Sequence, residues 1–284
     1  MSASAGGRRS NSGAEGAPEG LWTKCAKCGE MLYQPEWEQE LYVCRHCGHH
    51  RRLTARERVA ITADEGSFEE QDARMRSSDP LRFPGYQEKL SEDEARTGMR
   101  ESLIWGECTV DELPVVLVVM DFGFRGGSMG AVVGEKFARA AERAIERRIP
   151  LLAFACSGGA RMQEGIVSLL QMAKTTAAAA QVGRARVPFI TVYSDPLTAG
   201  VFASFASVAD VIISERNALV GFAGPRVIEK AFNIKLPPGS HTAEFQLQHG
   251  MVDIVVGRRE LRSLLVRVLK LLGSEAQQSE GDDE

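Results

Sequence analysis

Four cysteines near the start of the chain, in Cys25-Ala26-Lys27-Cys28-Gly29 and Cys44-Arg45-His46-Cys47-Gly48, constrain the fold more than any other feature. Two CxxC pairs separated by fifteen residues fit a pair of knuckles that place four thiolates tetrahedrally around one Zn2+. The glycine after each pair can take a positive φ and turn backbone N–H groups toward sulfur. Four thiolates around a divalent ion leave a negative centre, which Lys24, Lys27 and Arg45 offset from in or beside the knuckles. The expected ligands are Cys25, Cys28, Cys44 and Cys47, and the expected role of the zinc is structural. A module of this size buries too little core to fold unaided, and four sulfurs leave no open position for a catalytic water.

The other two cysteines, Cys108 and Cys156, lie in apolar segments, and the first twenty residues lack the apolar core of a secretory signal. This pattern is that of a reducing compartment, so a cytoplasmic location is expected. The longest apolar runs, Val115–Met120 and Leu151–Cys156, fall far short of the ~18–20 residues a membrane span needs. With 44% hydrophobic and 25% charged residues, the chain has the composition of a globular protein. Its net charge is −4, and the stretch from Ser274 to Glu284 holds five acids and no base. Without that tail the body is close to neutral, with no field strong enough to argue for nucleic acid by charge alone. One local exception stands beside the cysteine module, where Arg45, His49, His50, Arg51, Arg52, Arg56 and Arg58 form a basic strip. Nucleic-acid binding through this zinc ribbon is therefore kept as a secondary function.

The expected organisation is a disordered tail over 1–20, a zinc ribbon over 21–53, a catalytic domain over 54–273 and an acidic disordered tail over 274–284. Residues 54–104 are rich in charge and read as helices and loops. From Leu103 onward the texture changes. Val115–Phe122 is a continuous apolar run rich in β-branched residues, which predicts a strand buried on both faces. A glycine loop follows, then a helix with Phe137, Ala140, Ala141, Ala144 and Ile145 on one stripe. Strand, glycine-bearing loop and helix then recur: Leu151–Cys156 before a helix containing Ile166, Leu169 and Leu170, and Pro188–Ser194 before a small-residue helix over Val201–Val208. Short strands at Val211–Ser214 and Met251–Val256 precede a terminal helix. The fold class is α/β with buried sheets.

Three loops could carry chemistry: Gly126-Gly127-Ser128-Met129-Gly130, Ser157-Gly158-Gly159-Ala160-Arg161-Met162-Gln163-Glu164, and Asp195-Pro196-Leu197-Thr198-Ala199-Gly200. Each joins a strand to a helix and can direct backbone N–H groups at an anion or a developing oxyanion. None matches the dinucleotide or Walker phosphate fingerprints. A hydrolase would need Ser157 activated by a histidine, yet this region offers only His241 and His249, and no G-x-S-x-G elbow.

Taken together, the order CxxC, CxxC, GGSMG, SGGARMQE, DPLTAG and GFAGPRVIE closely resembles the β chain of bacterial-type acetyl-CoA carboxylase carboxyltransferase, over roughly residues 21–273. The resemblance implies a crotonase/ClpP-like β-β-α superhelix behind the N-terminal zinc ribbon. It implies transfer of a carboxyl group from carboxybiotin, carried on biotin carboxyl carrier protein, to acetyl-CoA, giving malonyl-CoA for fatty-acid synthesis. Partners implied are a carboxyltransferase α subunit in an α2β2 heterotetramer and a biotin carboxylase, with no membrane. A carboxyltransferase for another short acyl-CoA such as propionyl-CoA, or a zinc-ribbon nucleic-acid binder on an inactive crotonase fold, are the alternatives.

Carried over residue by residue, Gly158 and Gly159 match the glycine pair near the thioester, and Ala199 and Gly200 match a second pair. That second pair is Gly-Gly in the bacterial enzymes, so Ala199 is a departure, as is Phe202 where a small residue is usual. At negative φ, Ala199 would keep its N–H as a donor; a positive φ would mean a strained or shifted loop. The loop of Gly126, Gly127, Ser128, Met129 and Gly130 is assigned to the CoA moiety. Arg161 and Arg226 have two readings, contact with CoA phosphates or pairing within the fold, and pairing is favoured.

Overall fold

The computed structural model of the chain describes residues 21–278. The expected tail at 1–20 and the last six acidic-tail residues, 279–284, lie outside the described residues, as does the side chain of Arg226. The chain divides at His49/His50 into two units.

In the first unit, β1 (Trp22–Lys24) pairs antiparallel with β2 (Met31–Tyr33), and helix α1 (Gln34–Gln39) follows with Pro35 in its first turn. Besides its cysteines, the buried hydrophobes of this unit are Leu32, Trp37 and Val43, and Tyr42 meets the Trp37 ring edge-on. Three such side chains are a meagre core, so the cysteines must supply the remaining cohesion.

The second unit begins with α2 (Ala55–Thr62), which a reciprocal Thr54–Glu57 capping box starts. Then come β3 (Glu69–Gln71), α3 (Tyr86–Thr97), β4 (Leu103–Val110) and β5 (Leu113–Met120). β4 and β5 form a hairpin whose two turn residues, Asp111 and Glu112, both have positive φ (56° and 65°). Asp64 stabilises that turn by accepting both backbone N–H groups, at 3.0 and 2.9 Å, and the Thr109 hydroxyl at 2.6 Å. The chain continues through α4 (Ala131–Arg147), β6 (Leu151–Ser157), α5 (Ile166–Arg184), β7 (Phe189–Thr198), α6 (Ala199–Phe202), β8 (Val211–Glu215) and β9 (Val220–Gly221). It ends with α7 (Pro225–Phe232), α8 (Ala243–Gln248), β10 (Ile254–Val256) and α9 (Arg258–Gln278).

The sheet runs β10-β8-β7-β6-β5-β4-β3, with β9 beside the end of β7. β3, β4 and β5 are antiparallel neighbours, and the rest are parallel. β5 is buried on both faces. Val116, Val118 and Met120 join the layer formed by Val133, Phe137, Ala140, Ala141 and Ala144 of α4 with Ala178 and Val182 of α5. Val115, Leu117 and Val119 face the opposite layer of Tyr86 and Leu90 from α3 and Leu261, Leu265 and Leu269 from α9. A strand with no polar face needs helices on both sides, and these supply them.

Four expectations change. Residues 54–104 hold the edge strand β3 and the start of β4 as well as helices. β7 does not stop at Ser194, because Leu197 and Thr198 pair with Val220 and Gly221 of β9. The helix expected over Val201–Val208 is broken at Ser204 (φ −128°, ψ −118°), leaving α6 and a separate 3-10 turn at Phe205–Val208. The folded chain also runs past 273: α9 continues to Gln278, since Ser-Glu-Ala-Gln-Gln contains no helix breaker.

Candidate functional site

The four cysteine sulfurs of the first unit lie within 4.8 Å of one another. Two tetrahedral ligands at the usual Zn–S length of about 2.3 Å stand about 3.8 Å apart. Cys25 and Cys47 are separated by 3.7 Å and Cys28 and Cys44 by 3.8 Å, so the residues fit a zinc ion. The two knuckles are built alike. Cys25 N donates to Glu30 O and Gly29 N to Cys25 O, while Cys44 N donates to His49 O and Gly48 N to Cys44 O. Gly29 (φ 75°) and Gly48 (φ 66°) make both turns. His46 does not join the sulfur group; it faces Glu30 at 3.7 Å.

The basic strip is neutralised by partners that the sequence did not disclose. Arg45 pairs with Glu36 at 2.9 Å, Arg51 with Glu57 at 2.6 Å, Arg52 with Asp195 at 3.0 Å and Arg58 with Glu215 at 2.8 Å, and Arg56 pairs with Glu70. Glu215 is buried and also takes a two-pronged bond from Arg258, at 2.6 and 3.0 Å. Burial alone would raise its pKa, but Arg58 and Arg258 hold it at about 2. A run of cations already paired with carboxylates offers phosphates little.

The three glycine loops meet at the C-terminal ends of β5, β6 and β7. Gly158 N donates to Gly126 O at 2.8 Å, and Met129 and Ala160 form an isolated bridge through Met129 N–Gly159 O and Arg161 N–Met129 O, both 2.9 Å. Thr198 Oγ1 donates to Ser157 O at 3.1 Å. Gly127 (φ 62°) must be glycine, because a Cβ there would stand 2.6 Å from the Cys156 carbonyl oxygen.

This junction uses up most of the expected donors. The N–H of Gly158 is taken by Gly126, that of Gly159 by Ser157 Oγ at 2.9 Å, and that of Ala199 by Phe222 O at 2.8 Å. Ala199 adopts φ 54°, the second of the two alternatives, and its donor turns to the residue that follows β9. The N–H groups of Gly127, Ser128 and Met129 are likewise engaged inside the fold. GGSMG therefore braces the SGGA loop and does not present a row of donors to CoA. Among the residues expected at the site, the N–H groups of Gly126, Gly130 and Gly200 have no hydrogen bond; that of Ala160, next to Gly159, has none either, and Ala160 and Gly200 stand on two touching loops. Gly200 is among the expected donors; Ala160 is not, because nothing in its residue type sets it apart from any alanine in a turn.

Behind the SGGA loop lies a buried polar network. Arg161 donates to Glu101 at 2.5 and 2.9 Å, to Ser128 Oγ at 2.9 Å and to Ser128 O at 2.6 Å. It is thus paired within the fold and is no phosphate ligand. Glu164 accepts from Ala131 N (2.6 Å), Tyr86 Oη (2.7 Å) and Ser77 Oγ (2.8 Å). Its carboxylate thereby fills the start of α4, the place where GGSMG could have received an anion, and Gly130 leaves it room: a Cβ there would stand 2.6 Å from Glu164 Oε1. Burial pushes the Tyr86 hydroxyl up to about 12, so it stays a donor. Ser157 is fully buried, with its hydroxyl against Gly159, which removes it as a nucleophile.

Residues 49–257 match the carboxyl transferase domain family, and residues 22–47 match the acetyl-CoA carboxylase zinc finger domain. The acetyl-coenzyme A carboxylase carboxyl transferase subunit beta of Desulforamulus reducens is 52% identical over 257 residues, covering 90% of this chain and 89% of that protein. The subunit of the same name from Thermus thermophilus is 51% identical over 268 residues, 93% of each. Among solved structures, transcarboxylase 12S with methylmalonyl-coenzyme A and methylmalonic acid bound superimposes with a TM-score of 0.66 at 27% identity. The match covers 83% of this chain and 46% of that one, so this chain spans about half the transcarboxylase's length. A Pseudomonas malonate decarboxylase hetero-tetramer in complex with malonate gives 0.64 at 25% identity, covering 77% of this chain and 82% of that one.

Proposed function

This chain belongs to the acetyl-CoA carboxylase carboxyl transferase β-subunit family, and on that membership we propose that it carries the acetyl-CoA side of the carboxyl-transfer site. The observation that carries this reading is the pair of unengaged N–H groups, Ala160 and Gly200, on loops in contact. Carboxylating an acetyl thioester requires removing a proton from its α-carbon, which puts negative charge on the thioester oxygen. Backbone donors held at fixed positions stabilise that oxygen, and each is worth about 2.7–4 kcal/mol. Arg161, Glu101 and Glu164 act through the backbone: they hold the loop that presents Ala160. The co-substrate carboxybiotin, carried on biotin carboxyl carrier protein, supplies the carboxyl group and accepts the α-proton. The new C–C bond gives malonyl-CoA.

In this reading an α subunit completes the site on the biotin side, in an α2β2 assembly that works with biotin carboxylase in the cytoplasm. No described helix is long and apolar enough to cross a membrane. The zinc of Cys25, Cys28, Cys44 and Cys47 folds the first unit and takes no part in the chemistry, since its four positions are filled by sulfur.

Reconstitution with the α subunit, followed by an assay of carboxyl transfer to acetyl-CoA, tests the reading. Malonyl-CoA formation is expected. A well-assembled complex that carboxylates propionyl-CoA and leaves acetyl-CoA untouched would replace acetyl-CoA as the substrate, and one inactive on both would overturn the reading.

A further inference from the structure

The corners that lead into β6 and β7 are built alike. At the end of α4, Arg148 N donates to Ile145 O and Ile149 N to Ala144 O, both at 3.2 Å. At the end of α5, Arg186 N donates to Gly183 O at 3.0 Å and Val187 N to Val182 O at 3.2 Å. A helix closed by this pair of bonds needs a left-handed residue at the turn, and that residue is usually glycine. Here arginine holds the place in both, Arg148 at φ 50° and Arg186 at φ 55°. Leu151 and Phe189, three positions on from each, are register partners. Neighbouring strands run about 4.8 Å apart, so the two arginines occupy adjacent corners of one sheet edge. Arg184, the last residue of α5, stands two positions before Arg186. All three are exposed, and among the described residues none forms an ion pair.

The carboxylates at that edge are already committed. Glu107 takes Arg143 at 2.7 Å and Arg147 at 3.3 Å. Asp210 accepts from Phe189 N and Asp253 from Ile212 N, both at 2.8 Å, sealing the starts of β7 and β8. Three guanidinium groups thus face solvent at the end of the sheet opposite the SGGA loop. The seven residues of β6 put about 23 Å between the two ends. We propose that these corners form a docking site for a carboxylate-rich protein segment, independent of the acyl site. A guanidinium grips a carboxylate through two parallel bonds, so Arg148 and Arg186 hold two acidic side chains of one segment, with Arg184 beside them. The surrounding charge favours protein carboxylates over a nucleic acid. Exposed Glu142 and Glu146 on α4, and Asp210 and Asp253 at the next strands, bound the patch. A run of successive phosphates would pass from the arginines onto acids. A partner docked here leaves the glycine loops at the other end open to substrate, and the proposal does not depend on the carboxyltransferase reading.

The test titrates the zinc-loaded full chain with a fluorophore-labelled hexaglutamate peptide and, in a second arm, with a labelled single-stranded hexanucleotide. It compares the natural chain, the double variant Arg148→Gly, Arg186→Gly, and Arg267→Gln, which removes an exposed cation of α9. Glycine accepts both left-handed positions without strain, so the double variant folds, with a thermal midpoint no lower than the natural one. The natural chain is expected to bind hexaglutamate, less tightly as salt rises. The double variant is expected to bind it at least about tenfold more weakly, and Arg267→Gln as the natural chain does. No binding by the natural chain, or a loss as large in Arg267→Gln, would overturn the proposal. So would tighter binding of the hexanucleotide that the double variant loses. A double variant that binds hexaglutamate unchanged would leave the arginines as charges at the negative ends of two helices and would overturn it too.

Discussion

Arg161 and Glu101 form a two-pronged ion pair, at 2.5 and 2.9 Å, in which neither side chain is exposed to solvent at all. They stand sixty positions apart, Glu101 just before β4 and Arg161 within the SGGARMQE loop, so the pair ties the candidate site to the antiparallel side of the sheet. Such a pair adds little net stability over an apolar replacement, yet removing one member leaves a buried charge without a partner. Glu101→Ala is expected to cost about 3–5 kcal/mol, read as a lower denaturation midpoint at unchanged slope. A loss below about 1 kcal/mol would mean that water reaches Arg161 and that the network does not brace the loop.

Tyr86 of α3 donates to Glu164 and accepts from Arg161 at 3.2 Å. Tyr86→Phe removes both bonds with little change in shape. Because the carboxylate it leaves short of a donor is buried, a loss of about 1–3 kcal/mol is expected. Since Glu164 also caps α4 through Ala131 N, amide exchange should accelerate at the start of α4 before it does in the middle of the helix. Uniform acceleration along α4 would count against this local role.

What could be read from the sequence was what short-range pattern encodes. The unbroken β-branched run of β5, the Phe137–Ala144 stripe of α4 at helical spacing and the two CxxC knuckles are all encoded locally, and each is present. The α/β fold and the ribbon implied by the family resemblance are present too. Hidden were the features decided by distant partners. Nothing near Arg161 announces Glu101, nothing near Arg58 announces Glu215, and the glycines of SGGA look like donors until Gly126 O and Ser157 Oγ are found to occupy them. The φ of Ala199 belongs to the same class, since Phe222, twenty-three positions on, pins it.

Glu215 gives a pH dependence with a definite sign. Burial opposes its ionisation, but Arg58 and Arg258 prevail, and its carboxyl lies at about 2 against the usual 4.5. A carboxylate depressed on folding contributes stability that is complete above the unfolded value and lost as pH falls through the folded one. Stability should therefore decline from about pH 4.5 toward pH 2, and Glu215→Gln, less stable at neutral pH, should show a flatter acid limb. An acid limb identical in the variant would mean that other carboxylates govern acid unfolding.

Cys25→Ala should abolish zinc binding and unfold the first unit. Three sulfurs cannot replace the binding energy that a core of Leu32, Trp37 and Val43 lacks. Trp37, buried in the folded ribbon, reports the change as red-shifted fluorescence, while the second unit keeps its own thermal transition. Cys47→Ala should behave alike. A variant that retains one zinc per chain and an unshifted Trp37 would refute a structural role for the fourth sulfur.

The first turns of α5 present Ile166, Leu169 and Leu170 to solvent at 64%, 52% and 59% exposure, and Met162 just before them at 80%. Three- and four-residue spacing puts these side chains on one face, immediately after the SGGA loop. A contiguous apolar face beside a candidate site marks an interaction surface, and in the proposed assembly the α subunit covers it, bringing biotin within reach of the donors. Carboxyl transfer needs the reacting atoms within about 3–3.5 Å, so loss of this contact should abolish turnover and leave the fold intact. The paired variant Ile166→Glu, Leu170→Glu should keep its circular dichroism and zinc content but bind the α subunit at least about tenfold more weakly, because two charges are buried without partners. The natural chain alone, assayed by malonyl-CoA decarboxylation in the presence of biotin, should be inactive until the α subunit is added. Robust activity from the isolated chain, unchanged by that addition, would place the whole site within one polypeptide and require another partner for the α5 face.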